Sequence, residues 1–322
     1  MSARYEGNAE FNARHPGQNR YGQTLGMEIH IPFISESLRG LDLRIIESFA
    51  YVPELPAFSY VAGADSLPRE ANGGVQTGRI QTLRNRAGVL VGYGWTPRIS
   101  TSLSYSNVIT RYQGGALEDV TVHEGGLTGG YRASRQMQWT ISYLGSITDY
   151  QRSDSVTVHR FTLGNLYQFS PTFAVNLGTG VAVTAGAGAQ WTVNAGLTKT
   201  EENGSISLQY TRGIGTGGGL TTTATLSQNL IAQINRVLAR STTGFFSLGY
   251  GMNDTLSGPT QKIRTQEIGT GIQMTLRSWL SGGINYSYLD QRAEGGATIQ
   301  DTRRNQVMVT LTAAALPLRI MQ

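Results

Sequence analysis

Four histidines, 26 basic and 21 acidic side chains, and no cysteine bound the chemistry open to this 322-residue chain. His15, His30, His123 and His159 stand far apart. None pairs with a carboxylate or a second histidine at the spacing that would put two ligands on one helix face, so no metal site is expected. The missing cysteines remove thiolate ligands and disulfide frameworks. Asp154, Ser155 and His159 bring a nucleophile, a base and an acid close together in sequence, as a hydrolase would. A serine beside an aspartate is also ordinary turn chemistry, and the reading carried forward is a chain with no catalytic residue, no enzymatic activity and no cofactor. Gly213, Gly215 and Gly218 satisfy GxGxxG, but a threonine-rich strand follows, so no helix N-terminus is there to cradle phosphate. Lysine occurs only at 199 and 262, and the net charge of +5 is carried by arginines. They are spread along alternating strands instead of clustering with stacking aromatics, which argues against a nucleic-acid partner.

What positions these charges is an alternation of period two. Tyr5, Gly7, Ala9, Phe11 and Ala13 fall on one parity; Glu6, Asn8, Glu10, Asn12 and Arg14 fall on the other. That is a strand with one apolar and one polar face. The pattern returns at 25–33, where Leu25, Met27, Ile29, Ile31 and Phe33 alternate with Gly26, Glu28 and His30. It returns again at 41–52, broken only by Glu47, and at 87–95 and 99–105. Segments of about ten residues are the length a tilted strand needs to cross a bilayer. No stretch of eighteen apolar residues exists for a membrane helix, and charged residues make up only 15% of the chain. No linker or shift of composition divides the sequence. The expected fold is one domain over 1–322, an all-β transmembrane antiparallel up-and-down β-barrel of about 16 strands in the bacterial outer membrane, with lipid as its outer partner. The opening MSARYEGNAEF lacks the basic and apolar regions of a secretory signal, so the exported chain is expected here in mature or trimmed form.

Tight turns are expected at 134–136, 170–172, 202–204 and 278–279, alternating with longer loops, of which 53–77 is the longest. That segment should lie outside or fold inward as a constriction. Residues 228–239 (QNLIAQINRVLA) place Leu230, Ile231, Ile234, Val237 and Leu238 at helical spacing, which predicts one short periplasmic helix, with a poorly patterned strand as the alternative. Tyr93, Trp95, Trp139, Tyr167, Phe169, Phe173 and Trp279 flank the short turns, and Tyr112, Tyr150, Trp191, Tyr250 and Tyr288 approach the opposite rim, as two interfacial girdles would.

A barrel of this width leaves an aqueous channel, which makes the inward parity the functional surface. It carries Glu6, Glu10, Arg14, Glu28, His30, Asp42, Arg44, Arg84, Arg86, Arg132 and Arg160 as lumen-lining candidates. The first strands bring both signs and the later ones mainly arginine, giving positive patches that favour anionic solutes or, alternatively, a structural network of ion pairs. Inward Gly88, Gly92, Gly130, Gly164, Gly178 and Gly180 either widen the wall or mark bends needed for closure.

The stretches TPRISTSLSYSNVITRYQGG, RQMQWTISYLGSITDY, SPTFAVNLGTGVAV and NQVMVTLTAAALPLR resemble the Gram-negative outer-membrane β-barrel porins associated with exopolysaccharide synthesis and export. The resemblance runs from about Arg79 onward. It implies a conduit for a secreted, anionic polysaccharide working with a periplasmic export protein; a general diffusion porin, or the barrel sheath of a larger complex, is the alternative.

Overall fold

The computed structural model describes residues 2–10, 20–31, 40–52, 58, 75, 80–113, 117–215, 223–258, 260–277, 279–295 and 301–313. These residues form sixteen strands in one sheet. They are β1 (Ser2–Glu10), β2 (Arg20–His30), β3 (Leu41–Val52), β4 (Thr82–Gly94), β5 (Ile99–Tyr112), β6 (Val120–Arg132), β7 (Met137–Tyr150) and β8 (Val156–Ser170). There follow β9 (Phe173–Thr184), β10 (Gly188–Glu201), β11 (Gly204–Gly215), β12 (Thr225–Ala239), β13 (Thr242–Thr255), β14 (Lys262–Arg277), β15 (Leu280–Glu294) and β16 (Thr302–Ala313). Each strand is bonded to its neighbours in sequence order, so the fold is an up-and-down β-barrel.

The faces divide as the period-two pattern requires. Leu103, Leu127, Ile141, Leu163, Leu177 and Ile284 are all exposed on the outer surface. Their cross-strand partners are of the same parity, so the apolar positions form a continuous outer band. The opposite parity carries the buried polar side chains Thr82, Thr148, Thr192, Gln233, Ser247, Asn253, Thr265 and Gln291. A soluble sandwich would bury its oily face and wet its polar one; here the order is reversed, as in a barrel standing in lipid.

The helix expected at 228–239 is not formed. Those residues lie within β12, paired to β11 on one side and β13 on the other, with a bulge between Val237 and Ala239. Leu230, Ala232 and Ile234 share the outward parity, while Asn229, Gln233 and Asn235 point inward. Ile231 breaks the alternation because it is apolar on the inner side, where it packs against Phe58. The bulge supplies the second irregularity by bringing Val237 and Leu238 together on the exposed surface. With the helix removed, residues 240–241 become one more short turn.

The periplasmic girdle is built from packed rings. Tyr93 meets Trp95 edge to face at 4.6 Å, and Tyr167 meets Phe169 likewise at 4.6 Å. The indole of Trp95 donates to Thr101 Oγ1 at 2.9 Å. At the other rim, Tyr112 and Tyr150 differ from the expected girdle, since both lie on the inward parity, and Tyr150 is buried. Trp191, Tyr250 and Tyr288 keep the outward parity expected of them, and four further tyrosines with one shared geometry join them. Tyr105, Tyr143, Tyr210 and Tyr286 each reach diagonally to a polar residue on the next strand. The pairs are Tyr105 with His123 Nδ1 at 2.9 Å, Tyr143 with His159 Nδ1 at 2.8 Å, Tyr210 donating to Gln228 Oε1 at 3.1 Å, and Tyr286 donating to Asn305 Oδ1 at 2.8 Å. In every case the polar residue is the register partner of the position two beyond the tyrosine. Amphipathic rings with bonded hydroxyls settle where hydrocarbon gives way to headgroups.

Glycine is demanded by close approach at Gly180, where a Cβ would collide with the carbonyl oxygen of Phe161. At Gly92 the nearest atom to such a Cβ is Asp42 Cβ at 3.7 Å. The two inward glycines therefore serve different ends, a bend at the first and open lumen at the second.

Candidate functional site: the inner wall

Alternation places the inner wall, and register decides which of its charges meet. On β2 and β3, His30 and Arg44 are register partners near the short-turn end. Asp42 stands beside both. His30 Nε2 is bonded to Asp42 Oδ1 at 2.7 Å, and Arg44 Nε donates to Asp42 Oδ2 at 2.8 Å. Glu28 lies two residues from His30 on the same face and is exposed. Four of the expected lumen residues thus form one mixed-charge cluster at this mouth. The pairs are half-exposed to water, so their contribution to stability is small.

Arg84 and Arg86 follow on β4 at the same parity, facing Ala50 and Ser48 of β3 and Thr110 and Val108 of β5. Arg132 ends β6 at the short-turn mouth and is exposed. Glu6 and Glu10 belong to β1 opposite Tyr5 in parity, but their side chains lie outside the described residues, as does the whole of Arg14.

Arg160 on β8 reaches across the interior. Its Nη2 donates to the carbonyl of Ile214 at the end of β11, at 2.9 Å. The β10 to β11 pairing stops at Arg212, and the last residues of β11 lean over the inner wall. There Ile214 joins Val158, Ala182 and Ala224 in a small apolar cluster. Beneath it is a cavity of about 140 Å³ lined by Glu124, Ser146, Thr148 and Arg160 together with aliphatic side chains.

A second inward structure comes from the long connection after β3. Of residues 53–77, Phe58 and Val75 are described, and both are buried. Phe58 packs against Leu289 of β15 and Ile231 of β12, on the far side of the barrel from its own strand. At Phe58 the connection is folded into the lumen.

Several functional positions escape the sequence reading. Glu124 and Glu267 carry acid to the inward parity of β6 and β14, so the later strands are not purely basic. Glu124 shares its parity with Arg132, and that signal was present in the sequence. Glu47, which broke the pattern of β3, points outward and accepts from Asn85 Nδ2 at 2.7 Å. His159 belongs to the outer surface, where its Nδ1 is bonded to the Tyr143 hydroxyl at 2.8 Å. Of the GxGxxG glycines, Gly213 and Gly215 lie on β11 and Gly218 lies outside the described residues.

No protein-family model and no curated protein sequence matches the chain. Among solved structures it is similar to the FrpB iron transporter from Neisseria meningitidis, F3-3 variant, with 10% identity and a TM-score of 0.50 over 93% of this chain and 58% of that one. The F5-1 variant of the same transporter gives 9% identity and a TM-score of 0.50 over 92% of this chain and 60% of that one. The chain spans less than two thirds of the length of these proteins. At such identity the likeness is one of fold, and the fold is that of an outer-membrane β-barrel.

Proposed function

We propose that the chain is an outer-membrane transport channel whose cargo is a secreted, anionic polysaccharide, passed on from a periplasmic export protein. The observation that carries the reading is the placement of Arg44, Arg84, Arg86, Arg132 and Arg160 on one inward face of a sixteen-stranded barrel. Guanidinium groups spaced along a wet wall offer weak, repeated sites to carboxylate or phosphate groups, so that a polymer is held and released in steps. General diffusion of small solutes is the second reading. It is favoured by Phe58, whose packing on Leu289 and Ile231 takes up part of the lumen's width.

Planar-bilayer recording separates the two. A polysaccharide channel conducts, is anion-selective, and is blocked by a long anionic polysaccharide more strongly than by a neutral one of equal length. A general porin is indifferent to that comparison. Absence of any conductance, even after removal of residues 53–77, sinks both.

A further inference from the structure

The outer face carries a concentration of arginine that neither the lumen nor the apolar band explains. Arg264 on β14 and Arg292 on β15 are direct register partners, both exposed on the outward parity. Arg303 on β16 is exposed one step below, opposite Asp290. Like charges directly opposite one another destabilise a ladder. The carboxylate beside them is shared, with Asp290 accepting from Arg303 Nε at 3.4 Å and forming an ion pair with Arg292 at 3.6 Å. In the row above, Lys262 stands in register between Asp254 and Glu294. Just before β16, Asp301 accepts from the Ala293 amide at 2.9 Å, which leaves Asp290 as the carboxylate that Arg292 and Arg303 share and leaves Arg264 facing Arg292 directly. Among the described residues elsewhere at this rim, the outward strand cations Arg111 and Arg212 are committed, the first to Asp119 at 3.1 Å and the second to the Trp191 ring at 4.0 Å.

Their level on the barrel is equally specific. Strands rise ~3.3 Å per residue and tilt about 40°, so each residue climbs roughly 2.5 Å along the membrane normal. Arg264 lies 276 − 264 = 12 residues above Leu276, and Arg292 lies 292 − 280 = 12 above Leu280, the apolar residues flanking Trp279. Both therefore stand roughly 30 Å above the periplasmic girdle, where the apolar band is only about 25 Å tall. The Tyr286 hydroxyl and its partner Asn305 mark the boundary on the same strands. The arginines begin one step beyond it, at the height of lipid phosphates.

We propose that Arg264, Arg292 and Arg303 form a binding site for the phosphorylated headgroup of an outer-leaflet lipid. The planar fork of each guanidinium matches phosphate oxygens in pairs. A phosphate between Arg264 and Arg292 relieves the like-charge contact that the folded chain leaves in place, and the acyl chains run down over Ile268, Ile284 and Val307, all exposed below. The site does not depend on what passes through the lumen.

The test uses the full chain in discs of neutral phosphatidylcholine doped with lipid A or with its dephosphorylated form, with bound lipid counted by native mass spectrometry. Wild-type protein is expected to retain lipid A and not the dephosphorylated form. Each arginine near the surface is worth roughly fivefold in affinity, so R264Q/R292Q/R303Q should bind lipid A roughly a hundredfold more weakly, and the triple lysine variant should fall between. Equal retention of both lipids by wild-type protein overturns the proposal, and that arm stands even where the triple variant does not fold. Unchanged binding by a folded triple variant also overturns it. Displacement of lipid A by inorganic phosphate alone would make this a free-anion site, which refutes the headgroup assignment.

Discussion

The replacement of Phe58 by alanine tests how this residue is held against the inner wall. Phe58 and Leu289 are each only 2% exposed, and Ile231 completes the contact. Burying a phenylalanine side chain stabilises by about 1.5–3 kcal/mol, and Phe58→Ala removes nearly all of that from the docked state. The equilibrium between docked and released Phe58 should shift by roughly 10- to 150-fold. In planar bilayers the variant is expected to show longer or larger open events than wild type at the same voltage. Leu289→Ala should move the same parameter in the same direction. The double variant should show less than the sum of the two, since both side chains serve one contact. Heat-modified electrophoretic mobility checks that the barrel itself is intact. A correctly folded Phe58→Ala barrel with unchanged open times and conductance would refute an anchoring role for this residue.

Three further outcomes follow from single contacts. Gly180→Ala forces a Cβ against the Phe161 carbonyl and should destabilise the β8–β9 ladder by ~1–3 kcal/mol in urea unfolding, whereas Gly92→Ala, which meets Asp42 only at ordinary van der Waals distance, should be within about 0.5 kcal/mol of wild type. Arg160→Gln breaks the charge-assisted bond to Ile214, of the kind worth ~1.5–3 kcal/mol, so amide exchange at the end of β11 should accelerate while the middle of β8 stays protected. Asn85→Leu leaves the Glu47 carboxyl facing lipid without its donor and should cost about 1–3 kcal/mol, and the double variant Glu47→Leu/Asn85→Leu should recover that loss, both measured by unfolding from liposomes.

The strands themselves were legible because period two is a local property: whether Leu103 and Leu127 face out is settled by their neighbours along the chain. The same parity placed Arg84, Arg86, Arg132 and Arg160 on the inner wall and left Glu47 as the visible exception on β3. Tertiary structure decided what local pattern does not contain. Ile231 reads as part of a helix because its apolar partner, Phe58, is distant in sequence and meets it only once the barrel has curled. Register, set by the turns, determined that His159 bonds Tyr143 on the outer surface, and that Arg264 falls opposite Arg292. A one-dimensional alternation fixes which side of the wall a residue takes; which residues stand together on that side depends on how far each strand slides past the next, and only the folded barrel holds that information.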